Sequence, residues 1–254
     1  MNQQLFFLDT ETTSADTTKA RVVQMAIIGK PLTDDSKDYL RCEWTVKPSG
    51  EMEIGAIATH HITPRMVEWL PLFKDSDWYD ALKRRLDLGH ILVAHNAPYD
   101  VAVLANDGVV VERSIDTLKV AKHILDDSWI ESFSLQYLRY FYKLDDLHEW
   151  ELTSWFAHSA LYDTIVLKWF YEFLEDRLKK LHPGQDPIER MLELSTLPIL
   201  IKTLKFWKYQ WRSLEEISRC DRWYLDWLHW SESKKPMHEQ NKDLLHSLNH
   251  YLKL

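Results

Sequence analysis

Glycine is scarce in this 254-residue chain, with 6 in all, about 2% where soluble proteins average about 7%. None of the six stands in a G-x-G arrangement, so the phosphate-cradling turn of a dinucleotide-binding fold is not expected. Gly50 and Gly55 have the spacing of a P-loop, but Ala56 and Ile57 occupy the places where that loop needs Lys and Ser/Thr. Cysteine is nearly absent: Cys42 and Cys220 lie far apart, which excludes a disulfide framework and a cysteine zinc site. No H-E-x-x-H helix occurs. No apolar run approaches the roughly 18 residues of a membrane span, and Met1-Asn2-Gln3-Gln4 lacks a positive leader region, so a cytoplasmic protein with no membrane partner is expected. Positive charge is also in deficit. With 31 Lys+Arg against 39 Asp+Glu, the net charge is -8, which excludes a basic protein that coats nucleic acid by charge.

What is present reads as an α/β chain. Leu5-Phe6-Phe7-Leu8, Val22 to Gly29 and Tyr39 to Val46 predict three strands, the last two joined by the polar Thr33-Asp34-Asp35-Ser36 turn. Asp77 to Leu86 predicts a helix, Ile91 to Ala94 a short buried strand, and Pro98 to Ala105 a helix with proline in its first turn. Val109 to Val111 with Ile115 suggests one more strand. From Thr117 the pattern is helical, through Ser134 to Tyr142 and a long stretch from Ala160 to Leu181. His182-Pro183-Gly184-Gln185-Asp186-Pro187 is the clearest breaker. A domain of residues 1–185 and a smaller one of 196–254 are expected, with the boundary near 183–195. Residues 196–254 hold 10 Lys+Arg and 7 Asp+Glu, net +3, which leaves 21 and 32, net -11, for residues 1–195.

The acids carry the chemistry. Asp9 and Glu11, two apart at the end of the first strand, point to one face roughly 7 Å apart along the chain. They are either a solvated strand-end turn or a pair held for a counter-charge. Asp100 falls in the first turn of a helix, as a capping acid would, yet shares a face with Val103 and Leu104. Asp163 lies on the stripe of Val166, Leu167, Phe170 and Leu174, an acid on a core face. His158 falls in the loop entering that helix, with Ser159 as N-cap. Four acids from three segments suggest convergence on divalent cations held by oxygen. Two such ions can clamp the oxygens of phosphoryl transfer, and a histidine can take the proton of the attacking water.

Asp9-Thr10-Glu11, Asn96 with Asp100, and His158-x-Ala-x-x-Asp163 resemble, in order and spacing, the three motifs of the DEDDh 3′-to-5′ exonucleases. These are the DnaQ-like group of the ribonuclease H-like superfamily. The likeness spans residues 5–175, and Thr59-His60-His61-Ile62-Thr63 and Ile115-Asp116-Thr117-Leu118 extend it. It implies a mixed five-stranded sheet flanked by helices. It also implies two Mg2+ or Mn2+ ions on Asp9, Glu11, Asp100 and Asp163, with His158 as general base. Thr10, Thr12, His61 and Asn96 become substrate contacts, DNA 3′ ends (single-stranded above all) the partner, and nucleoside 5′-monophosphates the product. RNA 3′-trimming and a non-catalytic nucleic-acid-binding module are the alternatives.

The segment from Lys205 to Ile217, followed by Tyr224-Leu225-Asp226-Trp227-Leu228, resembles the small C-terminal domain behind exodeoxyribonuclease X-like nucleases. This chain has Trp207, Gln210 and Trp211 where that pattern usually carries glycines. Trp223, Trp227 and Trp230, at i, i+4 and i+7, are expected to form the buried stripe of one helix. Trp207 and Trp211, among Lys205, Lys208 and Arg212, are the better candidates for nucleic-acid contact.

Overall fold

The computed structural model describes residues 4–31, 39–125, 129–147, 159–204, 206–237 and 240–254. The chain divides into two compact units, residues 1–195 and 196–254. The Thr33–Ser36 turn and His158 lie outside the described residues.

The first unit is built on a five-stranded sheet of order β3-β2-β1-β4-β5. β1 (Leu5–Thr12) lies in the middle, antiparallel to β2 (Val22–Gly29) and parallel to β4 (Ile91–Ala94). β3 (Leu40–Thr45) pairs antiparallel with β2, and β5 (Ser114–Asp116) parallel with β4. All eight residues of β2 are buried, as expected of an apolar inner strand with both faces covered. Gly29 sits opposite Phe6, where an added Cβ would lie 3.0 Å from the Phe6 Cβ, so any side chain there would have to push the two strands slightly apart.

Alternation along β1 separates two cores. Phe6 and Leu8 join Met25, Ile27 and Leu92 in one cluster. Leu82 of α3 (Asp77–Asp87) and Val103 and Leu104 of α4 (Ala97–Asn106) cover it. Phe7 joins Ile28, Ile91, Val93 and Ile115 in the other. That face is covered by α5 (Thr117–Ile124), α6 (Leu135–Phe141) and α7 (Ala160–Leu181). α7 contributes Val166, Leu167, Phe170 and Leu174, all buried. Two short helices, α1 (Ile54–His60) and α2 (Pro64–Val67), follow β3. The breaker at 182–187 is a turn between α7 and α8 (Pro187–Thr196), and Met191 and Leu194 of α8 enter the α7-side core.

Of the strand expected from Val109 to Val111 with Ile115, only Ile115 lies in a strand, β5 (Ser114–Asp116), and Val109–Val111 falls in the loop before it. Val109 fills the α4-side core from a loop while Val110 is exposed, so the apolar triplet marks a loop anchor, and the true strand is too short to carry a pattern of its own.

In the second unit, α9 (Leu214–Cys220), α10 (Arg222–Ser233) and α11 (Lys242–Leu252) enclose a core. It consists of Leu204, Leu214, Ile217, Tyr224, Leu225, Leu228, Leu244, Leu248 and Leu252. The expected burial of the α10 tryptophans is overturned: Trp223 is 74%, Trp227 38% and Trp230 60% exposed. Two stripes of the same period run side by side on α10, offset by one residue. The inner one is Tyr224 and Leu228, with Leu225 beside them, and these three, not the tryptophans, pack with the leucines of α9 and α11. The 207–211 loop adds Trp207 and Trp211, 61% and 65% exposed, both in the left-handed conformation at φ 59° and 68°, a region that favours glycine.

Among the described residues no helix is long and apolar enough to cross a membrane.

Candidate active site

β1 ends in Asp9-Thr10-Glu11-Thr12, and its pleat continues past the core residues. Asp9 and Glu11 follow Phe7 toward the α7 face, while Thr10 follows Phe6 and Leu8 toward α4. The β1–β2 register shifts between Glu11 and Thr12, a bulge that ends the regular pairing next to the acids.

Asp163 arrives in the first turn of α7. That helix start is held from three sides. Ser159 caps it, its hydroxyl accepting from the Tyr162 N–H at 3.3 Å. The Ala160 N–H donates to Gln24 Oε1 at 3.2 Å, and the Leu161 N–H to Glu43 Oε1 at 2.9 Å. Side chains of β2 and β3 thus satisfy backbone donors that a helix start leaves open, and the Glu43 carboxylate suits the positive end of the helix dipole. Gln24 is also the ladder partner of Glu11, so one residue ties the strand carrying Glu11 to the helix carrying Asp163.

As a result, one carboxylate oxygen each from Asp9, Glu11 and Asp163 lies within 4.8 Å of the others. Gln136 of α6 donates its side-chain amide to Asp163 Oδ1. The same amide is oriented by Arg139, whose Nη1 donates to Gln136 Oε1 at 3.3 Å. Asp100 is not part of the three-oxygen group. It is buried in the first turn of α4, and its Oδ1 accepts from the Thr10 hydroxyl at 2.7 Å.

The electrostatics are those of crowded like charges. Burial, then the charges of Asp100, Asp163 and Glu11, hold the Asp9 carboxyl well above the ordinary range. Burial with Asp163, Asp100 and Glu43 pushes Glu11 up to about 7. Burial raises Asp100 to about 7 against the pull of the Thr10 hydrogen bond. Three hard oxygen donors carrying more negative charge than their surroundings balance fit a divalent cation.

The remaining predicted contacts fall in different places. Thr12 is buried, its hydroxyl donating to the Ser14 carbonyl at 3.0 Å and pairing with the Tyr99 hydroxyl. Asn96 is exposed in the left-handed conformation at the start of α4, and its N–H donates to Asp116 Oδ1 at 2.9 Å. Asp116 also caps α5 through the Leu118 N–H at 3.0 Å. His61 is exposed and left-handed at the end of α1, while buried His60 accepts from the Ile62 N–H at 3.0 Å and sets the turn. His158 immediately precedes the α7 cap and lies outside the described residues. Gln24, Glu43, Tyr99 and Gln136 had no motif to reveal them, since each acts on a group at least 27 residues away in sequence.

The exonuclease (RNase T) family model matches residues 6–168, and the chain belongs to this exonuclease family. It is a nuclease of the DnaQ-like class on a ribonuclease H-like fold, and the family depends on divalent metal. Among particular proteins, it is similar to exodeoxyribonuclease 10 of Escherichia coli strain K12, 24% identical over 255 residues and 98% of each chain. The DNA polymerase III subunit epsilon of Buchnera aphidicola is 26% identical over 188 residues, 66% of this chain and 71% of the relative. Of solved structures, exonuclease X in complex with 5′ overhanging duplex DNA has the same fold. Its TM-score is 0.52 at 23% identity, covering 75% of this chain and 99% of that one. Escherichia coli exonuclease I with a dT13 oligonucleotide has a TM-score of 0.53 at 18% identity, covering 71% of this chain and 42% of that one.

Proposed function

We propose that the protein is a divalent-metal-dependent 3′-to-5′ exonuclease that hydrolyses DNA from its 3′ end, single strands above all, and releases nucleoside 5′-monophosphates. The observation that carries this reading is the meeting of Asp9, Glu11 and Asp163 within 4.8 Å. The similarity to an exodeoxyribonuclease along 98% of both chains supports DNA as the substrate.

Asp9, Glu11 and Asp163 would hold Mg2+ or Mn2+, two ions in all, with Asp100 assisting through water. When bound, such ions neutralise the scissile phosphate and lower the pKa of the attacking water. The chain's own residues do the rest. His158 takes the proton of the attacking water as general base. Gln136 holds Asp163 in one orientation, and the Thr10 hydroxyl keeps Asp100 ionisable inside the fold. Asn96 and His61, both exposed at strand and helix ends, contact the terminal nucleotide, and the Thr10 and Thr12 region of β1 lines its place.

The test is incubation of 5′-labelled single-stranded DNA with magnesium. A descending ladder is expected, abolished in Asp9→Ala and in Asp163→Ala. A ladder that persists in both variants overturns the assignment, and faster cleavage of a matched RNA oligomer would transfer the proposal to RNA trimming.

A further inference from the structure

The second unit buries its leucines and turns its tryptophans out. On α10, Leu225 and Leu228 face the core while Trp223, Trp227 and Trp230 form an outer stripe that exposed Lys234 continues. Beside the stripe, the turn carrying Trp207 and Trp211 is closed by the Thr203–Ser213 bridge, the Trp211 N–H to Leu204 C=O bond at 2.7 Å and the Leu204 N–H to Arg212 C=O bond at 3.0 Å. This closure holds Trp207 and Trp211 in left-handed backbone, which bulky residues enter only when the surrounding structure imposes it.

The two elements merge into one aromatic surface. The Trp207 and Trp227 rings lie 5.6 Å apart, tilted by 45°, with Phe206 edge-on to Trp207 at 5.4 Å. Around the rings stand exposed cations: Lys208, Arg212, Arg222 and Lys234. Three of them are paired, Lys208 with half-buried Asp221 at 3.0 Å, Arg212 with Glu216 at 3.5 Å and Arg222 with Asp226 at 3.7 Å, and surface pairs of this kind are weak.

We propose that this face is a stacking platform for the unpaired bases of single-stranded nucleic acid, with Trp207, Trp227, Trp223 and Trp230 receiving bases and the interspersed cations receiving phosphates. The charge argues for a polyanion: residues 196–254 are net +3 in a chain that is net -8. So does the sorting on α10, whose aliphatic side chains all go to the core, leaving flat rings between charged residues in place of a mixed apolar groove. Rings with a free face accept any base, which suits binding without sequence choice. The inference rests on the nuclease reading only in taking the polymer to be nucleic acid.

The test uses the full-length protein in EDTA, with fluorescence anisotropy of a labelled oligothymidylate of roughly 20 nucleotides and of a blunt duplex of equal length. The single strand is expected to bind more tightly than the duplex. The double variant Trp207→Ala/Trp227→Ala is expected to lose about tenfold or more in single-strand affinity, whereas Trp207→Phe/Trp227→Phe stays within about threefold. With magnesium, both variants should cleave the p-nitrophenyl ester of thymidine 5′-monophosphate, too small to span a stacking face, at the parental rate. Unchanged affinity in the alanine variant overturns the proposal, as does equal affinity for duplex. So does conversion of a dimer to a monomer by the alanine pair, which would give the face to a second copy. If the parental protein fails to cleave the ester, the exonuclease reading falls while the anisotropy still decides the platform.

Discussion

The Thr10 hydroxyl donates a 2.7 Å hydrogen bond to Oδ1 of Asp100, joining the C-terminal end of β1 to the first turn of α4. Both side chains are buried. The bond works against desolvation, which raises the Asp100 carboxyl to about 7. Asp9 and Glu11 leave the same strand on its other face, yet the Asp100 charge still reaches them and helps raise both carboxyls.

Thr10→Val removes that donor and keeps the side-chain shape. In the metal-free protein the Asp100 carboxyl should then be raised further, moving the loss of stability with rising pH to higher pH in EDTA. At pH 8 the variant should lose about 1–3 kcal/mol in urea unfolding, because a buried carboxylate loses one of its donors and keeps only backbone ones. Thr10→Ser, which retains the hydroxyl, should restore the parental pH profile.

The metal-free protein should lose stability as pH rises. The folded-state values of Asp9, Glu11 and Asp100 are raised above those of free carboxyls, so the fold binds these protons more tightly than the unfolded chain. The stabilisation is complete below the unfolded values near 4 and is lost as pH rises through about 7, where Glu11 and Asp100 ionise. Differential scanning fluorimetry in EDTA should record a falling Tm between pH 5 and 8, and saturating magnesium should flatten the curve. Asp9→Asn should raise the metal-free Tm at pH 8 while abolishing nuclease activity.

Gln136→Leu should raise the magnesium requirement. Its amide donates to Asp163 Oδ1 and is itself oriented by Arg139. Loss of a partner that orients a metal-binding side chain costs about 10- to 100-fold in metal affinity or activity. Titrating magnesium into the cleavage assay should shift the midpoint upward, with kcat recovered in part at saturation. An unchanged midpoint would make Gln136 a packing residue only.

His158→Ala tests the assigned base. Parental activity should rise with pH through the histidine range near 6.5, and the variant should lose about 100-fold or more together with that dependence. Calorimetry should find manganese binding nearly intact. Loss of metal instead would make His158 a ligand.

Much of the fold was legible because burial writes a period into the chain. The apolar runs of β1, β2 and β4 and the stripe Val166-Leu167-Phe170-Leu174 of α7 are that period, and Ser159 signalled the helix start by its hydroxyl. Period tells which residues share a face, not which face is covered. The α10 tryptophans failed for that reason: two parallel stripes had equal claim, and the leucine stripe won. β5 was legible only at Ile115, because three residues cannot carry a pattern and the apolar run before them is a loop. For the candidate site, Asp9, Glu11, Asp100 and Asp163 stood out as acids at element ends, each beside apolar positions. Gln24, Glu43 and Gln136 were invisible, since each makes a polar contact set only by how α7 packs onto the sheet and against α6.

The central position of β1 has a consequence for when the chain acquires a usable site. Its backbone is paired on both edges, with β2 and with β4, whose partners lie more than 80 residues further along at Leu5↔Ile91 and Phe7↔Val93. Local opening at an edge cannot release the stretch paired on both sides, so the amides of Phe6 and Phe7 should exchange with solvent only through near-global unfolding. The same long-range pairing, completed by Asp163 from α7, makes the carboxylate cluster a late product of folding. A nascent or partly unfolded chain therefore carries the acids without the means to act on nucleic acid.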